Sequence, residues 1–217
     1  MAKLTAPVLS FAGSGKIAST LVFATWRGVK YARQYVVPAN PQSTAQTAVR
    51  SVFAMLREMW KLNPALGRAP WDRMAEGRKF LGLNKFIGEN VRVLNGETDM
   101  DNFIGSPGAA GGIPPSSVAA STGSGSGEVD VDFVNPTPPT GWTLDAEIAV
   151  AFPDQDPSDD FGGPLIAAES DPPTGTVTLS GLGAAVACQA SGWLRWVKPD
   201  GTFAYSVATT DQATSGA

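Results

Sequence analysis

Histidine does not occur in the 217 residues, and cysteine occurs once, at Cys188. Without histidine a Ser-His-Asp triad is excluded, and no motif marks a Ser–Lys or Thr-based nucleophile in its place. With one cysteine there is no disulfide framework, so the core must hold by packing in any redox compartment. Cys188 itself closes the apolar run 184–188 and reads as a small buried hydrophobe. No stretch reaches the roughly 20 apolar residues of a membrane-crossing helix. Lys3 is followed by mixed residues rather than by the apolar core of a secretion signal, so the expected place is the cytoplasm or a larger particle. Charged residues make up only 17%, while 24 glycines and 17 prolines call for many turns.

The charge that is present is divided unevenly. Residues 1–100 hold 14 Lys/Arg against 6 Asp/Glu, a net of +8, and residues 101–217 hold 2 against 14, a net of −12. Such asymmetry implies an electrostatic partner for one half, or attraction between copies of the chain.

Residues 16–37 carry the alternation of a β-hairpin turning at Arg27-Gly28, with Tyr31, Arg33 and Tyr35 on one face and Lys30, Ala32 and Gln34 on the other. Asn40-Pro41 is a helix start by capping logic, and Val49, Val52, Phe53, Leu56 and Trp60 follow as its expected buried stripe. A second helix is expected to start at Ala69-Pro70, with Trp71, Met74 and Ala75 inward. A third is expected over 84–94, with Phe86, Ile87, Val91 and Leu94 inward and Gly96 beyond its end. Residues 105–127, a tract of Gly, Ser, Ala and Pro without charge, read as a linker. From Glu128 short alternating runs follow to residue 207, with Asp200-Gly201 as a hairpin turn. The expected fold is therefore an α+β N-terminal module of one hairpin and about three helices over 1–104, a linker over 105–127, and an all-β sandwich of immunoglobulin or fibronectin-III type over 128–217.

Candidate chemistry is sparse. Gly13-Ser14-Gly15-Lys16 fails as a phosphate loop, since Ser10 and Ile17 stand where a glycine and a hydroxyl residue are needed. Asp154, Asp156, Asp159 and Asp160 form an oxygen-rich loop that is a candidate for Ca²⁺, although Asp159 and Leu165 break the EF-hand pattern. Two such carboxylates would also serve a glycosidase, but a loop is a poor place to fix their separation. Arg27, Lys30, Tyr31 and Arg33 combine cations with aromatics as single-strand binders do, yet the 14 cations are scattered and the acidic half would repel a duplex. Trp193 and Arg195 share one strand face and are the candidate glycan contact.

Lys16-Ile17, Thr20-Leu21-Val22-Phe23, Trp26, Gly28, Tyr31, Arg33 and Tyr35 lead into Pro38-Ala39-Asn40-Pro41, Gln46, Arg50 and Phe53. This run resembles the N-terminal module of small structural proteins encoded in tailed-bacteriophage genomes, in which a lysine-led hairpin with a Trp-x-Gly turn enters an Asn-Pro helix. The resemblance covers roughly residues 10–95. It implies a virion component, made in the host cytoplasm, that decorates a head, neck or tail, and it supplies no catalytic residues. The downstream sandwich is similar to display domains of phage particles. The expectation is a non-enzymatic structural protein without a cofactor, assembling with itself and with other virion proteins. Trp26, Arg27, Lys30, Tyr31 and Arg33 are its expected docking contacts. The alternatives are a module that binds host-surface carbohydrate through the sandwich, and a nucleic-acid-binding packaging factor.

Overall fold

A computed structural model describes residues 2–3, 15–17, 20–26, 29–37, 39–109 and 112–217. The chain divides into two compact units, Met1–Gln42 and Ser43–Ala217. The first is a four-stranded antiparallel sheet of β1 (Ala2–Lys3), β2 (Gly15–Ile17), β3 (Leu21–Trp26) and β4 (Val29–Gln34), in the order β1-β4-β3-β2. The expected hairpin is β3–β4, paired from Leu21↔Gln34 to Trp26↔Val29. Its turn at 27–28 lies outside the described residues.

The second unit opens with three helices, α1 (Thr44–Leu62), α2 (Ala65–Ala75) and α3 (Gly82–Leu94). Helix α1 starts three residues later than Asn40-Pro41 suggests. Ser43 is the cap, its hydroxyl accepting from the Gln46 amide at 3.4 Å, in a Ser-x-x-Gln arrangement. The buried face of α1 is Val52, Met55, Leu56 and Met59, while Val49 and Phe53 of the expected stripe stand in solvent. Helix α2 begins after Pro64 rather than at Pro70. Pro70 lies inside the helix, where the ring is buried against the fold. Helix α3 buries Phe86, Ile87 and Leu94 as its spacing predicts.

From its first residue, the tract read as a linker is anything but loose. A Cβ on Gly105 would stand 2.4 Å from the Ser191 hydroxyl and 3.0 Å from the Trp193 ring, so glycine is there to let the backbone pass close over the sheet. Residues 117–122 then form a strand, β5 (Ser117–Thr122), along β6 (Glu128–Val134). The remaining strands are β7 (Thr143–Pro153), β8 (Ile166–Ser170), β9 (Thr176–Ser180), β10 (Ala187–Val197), β11 (Phe203–Tyr205) and β12 (Thr209–Thr214). They make two antiparallel sheets. One is ordered β5-β6-β9; the other is ordered β11-β10-β7-β8, with β12 beside β11 on the outer edge of β10.

Two cores account for this arrangement. Between the sheets lie Val118, Val129, Val131, Phe133, Val177 and Leu179 from one side and Ala149, Ala151, Ala190, Leu194 and Trp196 from the other. On the opposite face of the larger sheet, Ala146, Ile148, Val150, Phe152 and Trp193 pack under the helices with Met55, Leu56, Trp71, Phe86 and Phe103. Strand β7 is therefore covered on both faces, and its buried run from Ala146 to Phe152 follows from that. Ring contacts carry the seam from helix to sheet: Trp71–Phe86 at 5.4 Å, Phe86–Phe103 at 5.9 Å and Phe103–Phe152 at 4.9 Å. The boundary between the compact units falls after residue 42, whereas 104 was expected, because the helices share a core with the larger sheet. The chain is thus α+β with a mostly β C-terminal part. Among the described residues no helix is long and apolar enough to cross a membrane.

Candidate docking surface

The N-terminal sheet is built entirely from residues that carry positive charge or none. Residues 1–42 contain Lys3, Lys16, Arg27, Lys30 and Arg33 and no Asp or Glu. Directly opposed residues of antiparallel strands share a face. The rows Lys16↔Val22↔Arg33 and Ala24↔Tyr31 therefore lie on one face of the sheet. The Lys16 ammonium sits 4.6 Å above the Tyr35 ring, which adds a second aromatic to this face. Lys30, opposite Thr25, belongs to the other face together with Phe23 and Ala32. Of the five expected contacts, the sheet brings Tyr31 and Arg33 together and sends Lys30 to the reverse. Arg27 and the side chain of Trp26 lie outside the described residues. Phe23 is the one buried side chain among those described in this unit, at 9% exposure.

The sandwich residues chosen from sequence are placed differently. Trp193 is fully buried beneath the helices and Trp196 is fully buried between the sheets, its indole N–H donating to the Ile113 carbonyl at 3.0 Å. Neither ring is offered to a sugar. Arg195 is held in place by three carboxylates: its Nε donates to Asp145, its Nη1 to Glu169 at 2.7 Å and its Nη2 to Asp171 at 3.2 Å. Burial pulls its pKa down, but the hydrogen bond to Asp145 and the charges of Asp145 and Glu169 outweigh that and raise it.

The acidic loop is likewise occupied with its own fold. Asp154 accepts from the Met100 amide at 3.3 Å and from Gln189 at 3.4 Å, and Asp156 accepts from the Ser158 amide at 2.7 Å. That bond and a second one to the Ser158 side chain lower the Asp156 pKa. Gln155 closes the loop by bonding the Asp160 carbonyl and the Gly162 amide, both at 3.3 Å. Among the described residues no three carboxylate, thiol or imidazole groups converge as a metal site. Asp154, Asp156, Asp159 and Asp160 are thus spread along the loop rather than gathered.

A cleft that the sequence reading missed lies between the α2–α3 turn and the β10–β11 hairpin. It has a volume of about 690 Å³ and is lined by Asp72, Arg73, Glu76, Arg78, Phe80 and, across it, Phe203 and Tyr205. Burial raises the Tyr205 pKa, against the lowering effect of the nearby Arg195. Arg78 lies over Phe80 and Arg195 over Phe203, at 5.9 and 5.2 Å from the ring centres. The only sequence signal for this cleft is the Asp200-Gly201 turn, which projects Phe203. No protein-family model matches this sequence, and no curated protein matches it.

Proposed function

We propose that the chain is a structural component of a phage particle, acting by docking and assembly and not by catalysis. The N-terminal sheet carries this reading. It has five cations and no carboxylate in 42 residues, and a single buried side chain among those described. A small sheet gains independent stability only when an apolar face packs on something. A basic face bearing Lys16, Tyr31, Arg33 and Tyr35 complements an acidic capsid, neck or tail surface, where cations speed encounter and aromatics anchor. Trp26, Arg27 and, on the reverse face, Lys30 remain part of the proposed contact.

The second unit is the body that this sheet attaches. Counted from β5, its first, second and fifth strands form one sheet and its third, fourth, sixth, seventh and eighth form the other. That order supports an immunoglobulin or fibronectin-III-like sandwich. In the test, Tyr31→Ala and Arg33→Ala are combined and incorporation into particles is measured. A loss of about tenfold or more, equivalent to about 1.4 kcal/mol of docking energy, is expected with the body's melting unchanged. Incorporation at the unmodified level would sink the assignment.

The cleft at Phe203 favours a second reading, carbohydrate binding, because an exposed aromatic there faces the charged side chains of Asp72, Arg73 and Arg78. Glycan-array binding by the full chain, abolished in Phe203→Ala, would select it. Binding to nucleic acid by the basic sheet would instead show a steep loss with salt.

A further inference from the structure

The cleft at Phe203 adjoins a second lobe of about 310 Å³, bordered by Arg73, Glu76, Arg78, Lys198 and Tyr205. Three cations stand there against one carboxylate. Arg73 is already paired with Glu76. Neither Arg78 nor Lys198 has an ion pair among the described residues; each lies over an aromatic ring instead, Phe80 at 5.9 Å and Trp142 at 5.8 Å. Residues 101–217 contain only two cations, Arg195 and Lys198. Arg195 is held by Asp145, Glu169 and Asp171, whereas Lys198 brings its charge to this lobe. Tyr205 lines both lobes and is 9% exposed, yet no group among the described residues bonds its hydroxyl. Buried tyrosine hydroxyls ordinarily find a partner. The charges of Arg195 on its own sheet and of Arg73 on α2 both act on this one, so the partner it suits is an anion that accepts its proton.

We propose that the cleft binds a saccharide carrying an anionic group, its ring against Phe203 and its charge among Arg78, Lys198 and the Tyr205 hydroxyl. The inference rests on the carbohydrate reading of this cleft and adds the class of sugar; it is independent of how the N-terminal sheet docks. In the larger lobe Asp72 and Glu76 stand against Arg73 and Arg78, beside Phe80 and Phe203. Carboxylates and guanidinium groups exchange hydrogen bonds with ring hydroxyls, and Phe203, 44% exposed, offers its face to the C–H side of a sugar. An apolar acid would strip water from Asp72 and Glu76 and give them nothing in return. A neutral sugar would leave Arg78 and Lys198 without the charge they are placed to meet. A sugar with a carboxylate or a phosphate satisfies both lobes, since either group accepts from guanidinium, ammonium and phenol donors.

The test presents the full chain with an array of matched glycans, each neutral member beside its uronic-acid and its phosphorylated counterpart. Acidic members are expected to bind about tenfold or more tighter than neutral ones, and the stronger acidic series identifies the group. Combining Arg78→Ala with Lys198→Ala should bring the acidic members down to the neutral level. Tyr205→Phe should weaken the acidic members while the melting temperature stays where it was, because the hydroxyl has no partner to lose within the protein. Equal binding of neutral and acidic members, lost in Phe203→Ala, would overturn the inference and leave the carbohydrate reading standing. Binding to no member would remove both. Acidic preference that survives the double variant would put the anion elsewhere and overturn the inference, as would a Tyr205→Phe protein that melts lower and binds acidic members unchanged.

Discussion

Strands β3 and β7 are both inner strands of antiparallel sheets and both are rich in apolar residues. Strand β7 is buried without a break from Ala146 to Phe152, whereas β3 buries only Phe23 among its described side chains. The difference lies in what covers each sheet. Helices lie on one face of β7 and a second sheet on the other, with bulky Ile148, Val150 and Phe152 toward the helices and Ala149 and Ala151 toward the sheet. The N-terminal sheet has no second layer of its own among the described residues. Charge follows the same division. The first unit has cations without acids, while many carboxylates of the second serve its own backbone and side chains. Asp211, for example, accepts from the Ala120 amide at 2.8 Å, and Asp101 accepts from Gln189 and Gln212. Much of the −12 of residues 101–217 thus sits on carboxylates that already accept hydrogen bonds within their own unit.

The strongest way to break this comparison is at the seam where the helices meet the sheet. Trp71 is fully buried, and its indole N–H donates to the Gly105 carbonyl at 2.9 Å. Trp71→Ala is expected to cost about 3–5 kcal/mol, the usual range for emptying a large aromatic site. Denaturation followed by helix circular dichroism and by tryptophan fluorescence should show both signals falling in one transition. Two separated transitions would mean that the helices and the sandwich are independent bodies, and the shared core would be wrong.

A smaller effect tests how the two units use polar side chains. Glu147 is fully buried, and its carboxylate accepts from Asn135, from the Thr174 amide at 3.1 Å and from the Gly175 amide at 2.9 Å. Glu147→Gln replaces one acceptor oxygen by a donor and leaves amide hydrogens facing it, at a cost of about 2 kcal/mol. The matching change on the exposed sheet, Arg33→Gln, should move stability by less than about 0.5 kcal/mol. Chemical denaturation of both variants reads the contrast. Equal losses would show that Arg33 is as embedded as Glu147.

Local periodicity carried a good part of this fold into view. The spacing of Phe86, Ile87 and Leu94, the alternation of Val129, Val131 and Phe133, and the Asp200-Gly201 turn all describe elements that the structure contains. The failures have physical causes. Strand β5 has one bulky apolar residue, Val118, so composition made it look like a linker; its order comes from pairing with β6. Gly105 lies in the tract read as a linker, yet it is a close approach; Gly192 of β10 is another, where a Cβ would strike the Phe133 ring at 2.8 Å. Strand β12, Thr209–Thr214, has almost no apolar signal and exists because β10 offers it an edge. Two signals were available and unused. Ser43-Thr-Ala-Gln46 is a capping pair, and the unbroken apolar run of β7 marks a strand covered on both faces. The candidate glycan site failed for the same reason: the face that Trp193 and Arg195 share lies under helices whose contact with the sandwich is not written in either segment alone. For the docking contacts the strand parity of Tyr31, Arg33 and Lys30 was legible, because it needs only a period of two.

The smallest expected effect separates the helical layer from the exposed sheet by acid. The hydrogen bond from Lys85 lowers the Glu89 pKa, burial opposes it, and the charges of Lys85 and Arg92 add to the lowering. A carboxylate whose folded pKa is depressed adds stability that is fully present above its unfolded pKa and is lost as the pH falls through the folded one. The window therefore lies at and below the ordinary Glu value of roughly 4.3. Each exposed helical pair is worth only about 0.3–0.5 kcal/mol. Asp156 and Asp200 are shifted down as well, by hydrogen bonds from Ser158 and Thr202, and titrate in the same direction. Glu89→Gln should thus flatten the loss of stability on acidification without changing its sign. Since residues 1–42 have no carboxylate to titrate, deleting them should leave the acid limb of the melting curve where it was. A limb that moves with that deletion would mean that carboxylates of the second unit are paired with the basic sheet, and the division of charge between the two units would have to be redrawn.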